Sequence, residues 1–255
     1  MFNARMFGAR MFGARMFGAR MFQARRPAVL ICAGLAGATV SLASGCHAAP
    51  SSTAAASTAA VTATSGVYGD PDAAAKYWVQ QSTEDTCGLA SVADVVGEVS
   101  GKAVTEEEVI ALAQKTPSSI RDGPIYLPTG DPGHDSEKGG IDAADTVVLL
   151  EHYGIKSRMT WDKYPDEVTL AALEQDLGAN RKVIAWVNGG TILNSNDQRK
   201  TADHLLVVTG IDTNRDTVHL NDPYADHGNT TVSIASFMTA WQAGQHTIIV
   251  TAPPG

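Results

Sequence analysis

The sequence predicts an α+β domain, helices packed on a mainly antiparallel β-sheet, over residues 67–255. Two observations carry that reading. Apolar side chains recur at three- and four-residue spacing between residues 87 and 177, as on the buried face of a helix. From residue 182 onward the period changes to short β-branched runs separated by turn residues. Helices followed by strands, without regular alternation, favour segregated layers over a parallel doubly wound sheet.

Taken in order, Leu89, Val92, Val96 and Val99 place a helix at 87–100, with Asp85 as its expected N-cap and Gly101 as its stop. Thr105 and Glu108 form the spacing of a capping box for a second helix, reaching to about Lys115. Pro117–Gly140 is dense in Pro, Gly, Asp and Ser and reads as a long loop. A third helix is expected from Ile141 to Tyr153, ended by Gly154. Lys156–Trp161 reads as a strand and Asp166–Leu177 as a fourth helix stopped by Gly178. The remaining strands are expected at Lys182–Val187, Leu205–Ile211, Thr217–Leu220, Thr230–Ile234 and Thr247–Thr251, with a short helix at Ser236–Trp241.

The first 66 residues have a different character. Met1–Arg25 is five copies of Met-Phe-X-Ala-Arg. A five-residue period advances about 500° on a helix, so no stable apolar face forms, and the array does not read as a fold. Starting from Met21, a basic Met-Phe-Gln-Ala-Arg-Arg segment precedes the apolar run Pro27–Ala43, which is the pattern of a secretory signal. Leu42-Ala43-Ser44-Gly45-Cys46 approximates a lipobox with Leu one place too far upstream, so lipid attachment at Cys46 and cleavage with release are both open. Residues 47–66 are almost entirely Ala, Ser and Thr and read as a flexible linker. The expected organisation is 1–46 export signal, 47–66 linker and 67–255 folded domain, with secretion or retention at the cell envelope. A membrane is expected to be met only through an anchor at Cys46.

Charge narrows the partners. The chain has 19 Lys+Arg and 27 Asp+Glu. Six of the basic residues are the arginines of 1–69, which contains no acid, so the remainder holds 13 bases against 27 acids, a net of −14. Such a domain repels polyanions, which argues against nucleic acid and anionic lipid surfaces.

Of three cysteines, Cys32 lies in the apolar run and Cys46 in the lipobox-like segment, leaving Cys87 alone in the domain. An unpaired thiol in an exported protein is a candidate reactive group. Cys87 is expected at the first turn of a helix, where free N–H groups and the macrodipole favour a thiolate. Its own N–H can donate to an oxyanion, Gln81 can fold back as a second donor, and Gly88 leaves room for a substrate carbonyl. For the base, Asp203-His204-Leu205-Leu206-Val207-Val208-Thr209 and Thr217-Val218-His219-Leu220-Asn221-Asp222-Pro223 read as a hairpin. A turn near 213–214 gives partner numbers summing to about 426, which sets His204 opposite Asp222. A slip of one residue puts Asn221 there instead; Asp222 is favoured. Nucleophile, base and orienter form the logic of a catalytic triad. The other domain histidines lack zinc-ligand spacing, and Asp131, Asp135 and Glu137 do not follow an EF-hand pattern, so no metal or other cofactor is expected.

Gln81, then five residues, then Cys87-Gly88 and a hydrophobic helix, followed by His204-Leu-Leu-Val-Val-Thr-Gly and Asn221-Asp222-Pro223 and by the strand and helix of Thr230–Trp241, resemble the bacteriocin-processing (double-glycine leader) peptidases and their stand-alone relatives. The resemblance spans about Lys76–Ala252. It implies a papain-like fold and cleavage of peptide bonds, with Cys87 as nucleophile, His204 as base and acid, Asp222 as orienter and Gln81 as oxyanion donor. A peptide or protein substrate is the implied partner. The sequence departs from the family in carrying no transporter or ATPase part and in placing Asp203 before the histidine. The Gln81–Ser91 segment also looks like phytochelatin synthase, so transpeptidase or amidase chemistry is an alternative. A catalytically silent envelope-binding domain is the other. A fast-reacting thiol separates the enzyme readings from the binding one.

Overall fold

The computed structural model of the chain describes residues 66–134, 140–195 and 200–254. The signal-like segment, Cys32, Cys46 and nearly all of the linker lie outside these residues, as do Asp135 and Glu137. The described chain runs β1 (Val67–Gly69), α1 (Pro71–Ala74), a 3-10 turn (Ala75–Tyr77), α2 (Cys87–Ser100), α3 (Glu106–Ala113), α4 (Ala143–His152), β2 (Ser157–Thr160), a 3-10 turn (Pro165–Glu167), α5 (Leu170–Gly178), β3 (Val183–Val187), α6 (Gly189–Ile192), β4 (His204–Asp212), β5 (Thr217–Asn221), β6 (Thr230–Ser233), α7 (Ile234–Gln242) and β7 (Ile248–Thr251).

The helix boundaries follow from capping. The α2 helix ends at Gly101 in the left-handed region (φ 72°), where a residue without Cβ is unstrained. The Thr105–Glu108 capping box is present at α3, with both reciprocal bonds made. Two starts come later than the periodicity suggests, because side-chain acceptors fix them. Asp142 caps α4 through Ala144 N–H and Thr169 caps α5 through Ala172 N–H, while Pro165 opens a separate 3-10 turn.

The strands form one sheet in the order β2-β7-β3-β4-β5-β6, and β1 pairs with the far half of β4. All pairs are antiparallel. Alternation along the strands feeds two cores. Ile184, Leu205, Val207 and Ile249 face α2, α3 and α4, against Leu89, Val92, Leu149 and Leu150. Val183, Ala185, Leu206, Val208, Ile248 and Val250 face the other way, against Leu173 and Leu177 of α5 and Phe237 and Trp241 of α7. Burial on both faces is why these strands read as nearly continuous apolar runs rather than alternating ones. The fold is α+β, with helices on both faces and not only ahead of the sheet.

The β4–β5 hairpin differs from its expected register. Val207 pairs with Asn221 and Val208 with Leu220, and beyond an irregularity at Thr209 Gly210 pairs with His219. Partner numbers therefore sum to 428 and then 429, not 426. The reason is the turn. Asp212 Oδ1 accepts from Asn214 and Arg215 N–H, and Asp216 takes a left-handed conformation (φ 53°), so Thr213–Asp216 is a four-residue connection. His204 faces Val187 across β3–β4, and Asp222 lies just past the end of β5.

Candidate active site

The α2 helix begins at Cys87, and the residue at its N-cap is Thr86, not Asp85. Thr86 makes no side-chain cap; its hydroxyl is turned back onto Thr83. Asp85 instead accepts from the Thr83 hydroxyl and sits within 3.4 Å of the Tyr126 hydroxyl. The helix start thus receives no capping side chain and carries a half-buried thiol that is in no disulfide. The preceding segment is held by Glu106, buried at the start of α3, whose carboxylate accepts the Ser82 N–H.

Helix and sheet meet at Gly88. A Cβ there would lie 2.7 Å from Ile141 Cγ1 and 2.8 Å from Leu205 Cδ1. Its glycine allows close packing of α2 against Ile141 and β4. The packing brings the Leu205 N–H to 3.5 Å from Cys87 Sγ, a donor aimed at the sulfur.

His204, buried at the first position of β4, engages Asp222 through Nε2 to Oδ1 at 2.7 Å. Asp222 is also buried, and the same oxygen accepts the Tyr224 N–H at 2.9 Å. With Nε2 so occupied, Nδ1 is the ring atom left for the thiol, and the imidazole interacts with Cys87. Burial alone would lower the His204 pKa. The hydrogen bond to Asp222 and the contact with Cys87 outweigh it and carry the value up to about 10. Asn221, the alternative orienter, points elsewhere: its Nδ2 donates to Ala74 O and Asp94 Oδ2, and its Oδ1 accepts from Asn229 N–H.

Gln81 lines a cleft of about 350 Å³ together with His204, Gly189, Gly190, Leu193 and Tyr224. Its Nε2 donates to Thr83 O at 2.7 Å, which uses one of its two N–H groups. Gly189 is close-fitted, since a Cβ there would lie 3.2 Å from His204 Cβ. A cavity of about 320 Å³ lined by Glu98, Lys182 and Thr251–Pro254 contains none of these residues. Among the described residues no group of three or more His, Cys, Asp or Glu is placed to hold a metal ion.

A family model described as Peptidase_C39 like family matches residues 73–249, which takes in every residue of this cluster. The chain belongs to that family. Membership supports a cysteine peptidase function. A protein of Mycobacterium tuberculosis (strain H37Rv), described as uncharacterized, is 38% identical over 196 residues, 72% of this chain and 84% of the relative. Among solved structures, a Bacillus anthracis protein described as a C39-like peptidase matches with a TM-score of 0.52 at 17% identity, covering 73% of this chain and 98% of the other. That likeness shows the fold. The peptidase domain of Streptococcus ComA, described as a bi-functional ABC transporter, matches at 18% identity with a TM-score of 0.40, over 69% of this chain and 96% of that domain.

Within this C39-like frame, the His204–Asp222 contact has a measurable signature. A histidine whose folded pKa lies above its unfolded value of 6.5 adds stability below about pH 6.5, and that contribution is lost as pH rises through about 10. Asp222→Asn keeps the shape and removes the charge. Urea unfolding at pH 6 and pH 10 is expected to show wild type losing on the order of 4 kcal/mol over this interval. The variant should lose clearly less.

Proposed function

We propose that this chain is an exported cysteine peptidase that hydrolyses peptide or isopeptide bonds through an acyl-thioester. Cys87 is the nucleophile, His204 the general base and acid, Asp222 the orienter, and Gln81 with the Cys87 N–H the oxyanion donors. The observation that supports this most directly is the 2.7 Å bond from buried His204 to Asp222, with the thiol of Cys87 against the same imidazole.

The steps follow from the groups in hand. The raised His204 pKa favours an imidazolium beside Cys87, and the Leu205 N–H supports negative charge on the sulfur. Sγ attacks the scissile carbonyl carbon, and the carbonyl π electrons move onto oxygen. The second Gln81 N–H and the Cys87 N–H receive that oxyanion. Collapse breaks the C–N bond, and His204 passes its proton to the departing amine. Neutral His204 then takes a proton from water as the water attacks the thioester carbonyl. Expulsion of sulfur regenerates Cys87, and Asp222 keeps the ring oriented throughout.

The export element rests on the basic and apolar segment of residues 21–43 and the lipobox-like Cys46. None of the described helices is long and apolar enough to cross a membrane. Fractionation of cells expressing the full chain, with and without Cys46→Ala, tests release against anchoring.

The chemical reading is tested by alkylation of Cys87 with iodoacetamide, followed by mass spectrometry of its peptide from pH 5 to 10. Wild type is expected to react at pH 6 at least about tenfold faster than His204→Ala, whose rate should climb only toward the ordinary thiol range near about 8.5. Equal, slow reaction of both proteins would sink the peptidase reading in favour of a binding domain.

A further inference from the structure

Two segments distant in sequence meet at the rim of the sheet. Residues 78–81 carry Gln81, and residues 222–225 carry Asp222. Three hydrogen bonds join them. The Trp78 indole N–H donates to Asp222 O at 2.7 Å, the Gln81 N–H donates to Pro223 O at 2.9 Å, and Gln80 Nε2 donates to Ala225 O at 3.0 Å. Within the second segment, Asp222 O accepts the Ala225 N–H at 3.1 Å and Asp222 Oδ1 accepts the Tyr224 N–H. This is a tight turn with Pro223 at its second position, the place a fixed φ suits.

The turn follows β5 directly, so the sheet does not hold Asp222: ladder pairing ends at Asn221. Its backbone is fixed by its own turn and by the indole. Trp78 is fixed in its turn from behind, since the absent Cβ of Gly228 would lie 2.8 Å from Trp78 Cβ and 2.8 Å from Ala75 O. A side chain at 228 would push the indole off its acceptor.

We infer that Trp78 is a positioning residue, whose indole N–H locks the Asp222 turn so that the carboxylate stays on His204 while Gln81 is held beside the same cleft. The inference rests on the peptidase reading for its catalytic consequence, but its structural content, the persistence of the His204–Asp222 bond, stands apart from catalysis. Trp78 makes no hydrogen bond to Cys87 or His204; its indole N–H acts through Asp222. The indole bond thus ties the orienter itself to the segment that carries the proposed oxyanion donor.

Trp78→Phe keeps the ring and removes the donor, and Trp78→Ala removes both. Two readouts on the full chain separate the possibilities. The first is the pH dependence of Cys87 alkylation for wild type, Trp78→Phe and His204→Ala. Trp78→Phe is expected to lose about three- to tenfold of the pH 6 rate and to move toward the His204→Ala profile. Where a peptide substrate is in hand, kcat should fall with KM unchanged. The second readout is the Nε2–H proton resonance of His204, which in wild type should be observable as a slowly exchanging downfield signal and in Trp78→Phe should broaden or vanish. A Trp78→Phe protein with wild-type His204 resonance and wild-type pH profile would overturn the inference, even if its melting temperature had dropped. If wild type and His204→Ala alkylate alike while the resonance still depends on Trp78, the peptidase reading falls and the positioning role stands.

Discussion

Cys87→Ala is expected to abolish peptide hydrolysis, with a loss on the order of 10⁴-fold or more, while leaving the fold intact. The magnitude follows from the role: without the nucleophile no acyl-thioester forms, and binding and oxyanion donation give only residual acceleration. The fold should survive because Cys87 is half-buried and opens a helix whose apolar face, Leu89, Val92 and Val96, is untouched. Circular dichroism and the urea midpoint should match wild type within about 0.5 kcal/mol. His204→Ala should lose comparable activity, and the double variant little more than either, because nucleophile and base act as a unit. Additive losses would show that the two residues act independently, against a Cys–His pair.

Much of this was legible because it depends on local chemistry. The capping box at Thr105, the glycine stop at Gly101 and the strand runs each carry their cause within a few residues. Cys87 and His204 stand out for related reasons, a lone thiol at a helix start and a histidine at a strand start. Asp222 was reached by a register that the four-residue turn at Thr213–Asp216 changes, so it approaches His204 from beyond the strand end and not from a facing ladder position. Asn221 shows the limit more sharply. Nothing near it in sequence announces that its amide goes to Asp94, 127 residues away. Trp78 and Gly228 are of the same kind: an exposed-looking tryptophan and a loop glycine gain meaning only when residues 75–81 are laid against 221–228.

Lys182→Met is expected to carry a large stability cost away from the site, about 3 kcal/mol, because it strips the cation from a buried acid pair. Asp94 and Glu98 lie one turn apart on α2 and their carboxyls interact, and Lys182 Nζ is 2.9 Å from Glu98 Oε2. Asp94 Oδ1 and Glu98 Oε1 are both buried and receive no donor from other side chains or backbone, a condition satisfied if one proton lies between the two carboxyls. Burial, the largest cause, and then the Glu98 charge push the Asp94 pKa well above the carboxylate range, despite the Asn221 hydrogen bond and Lys182. The sign follows: stability is full below about pH 4 and is lost as pH rises through the raised Asp94 value. Asp94→Asn should therefore flatten the pH dependence, since an amide can donate permanently to Glu98 while its oxygen still accepts from Asn221. Thermal melts from pH 5 to 9 should show the variant gaining on wild type as pH rises. A wild-type midpoint that Lys182→Met leaves unchanged, together with parallel pH curves for Asp94→Asn, would mean that the pair is solvated and holds no proton.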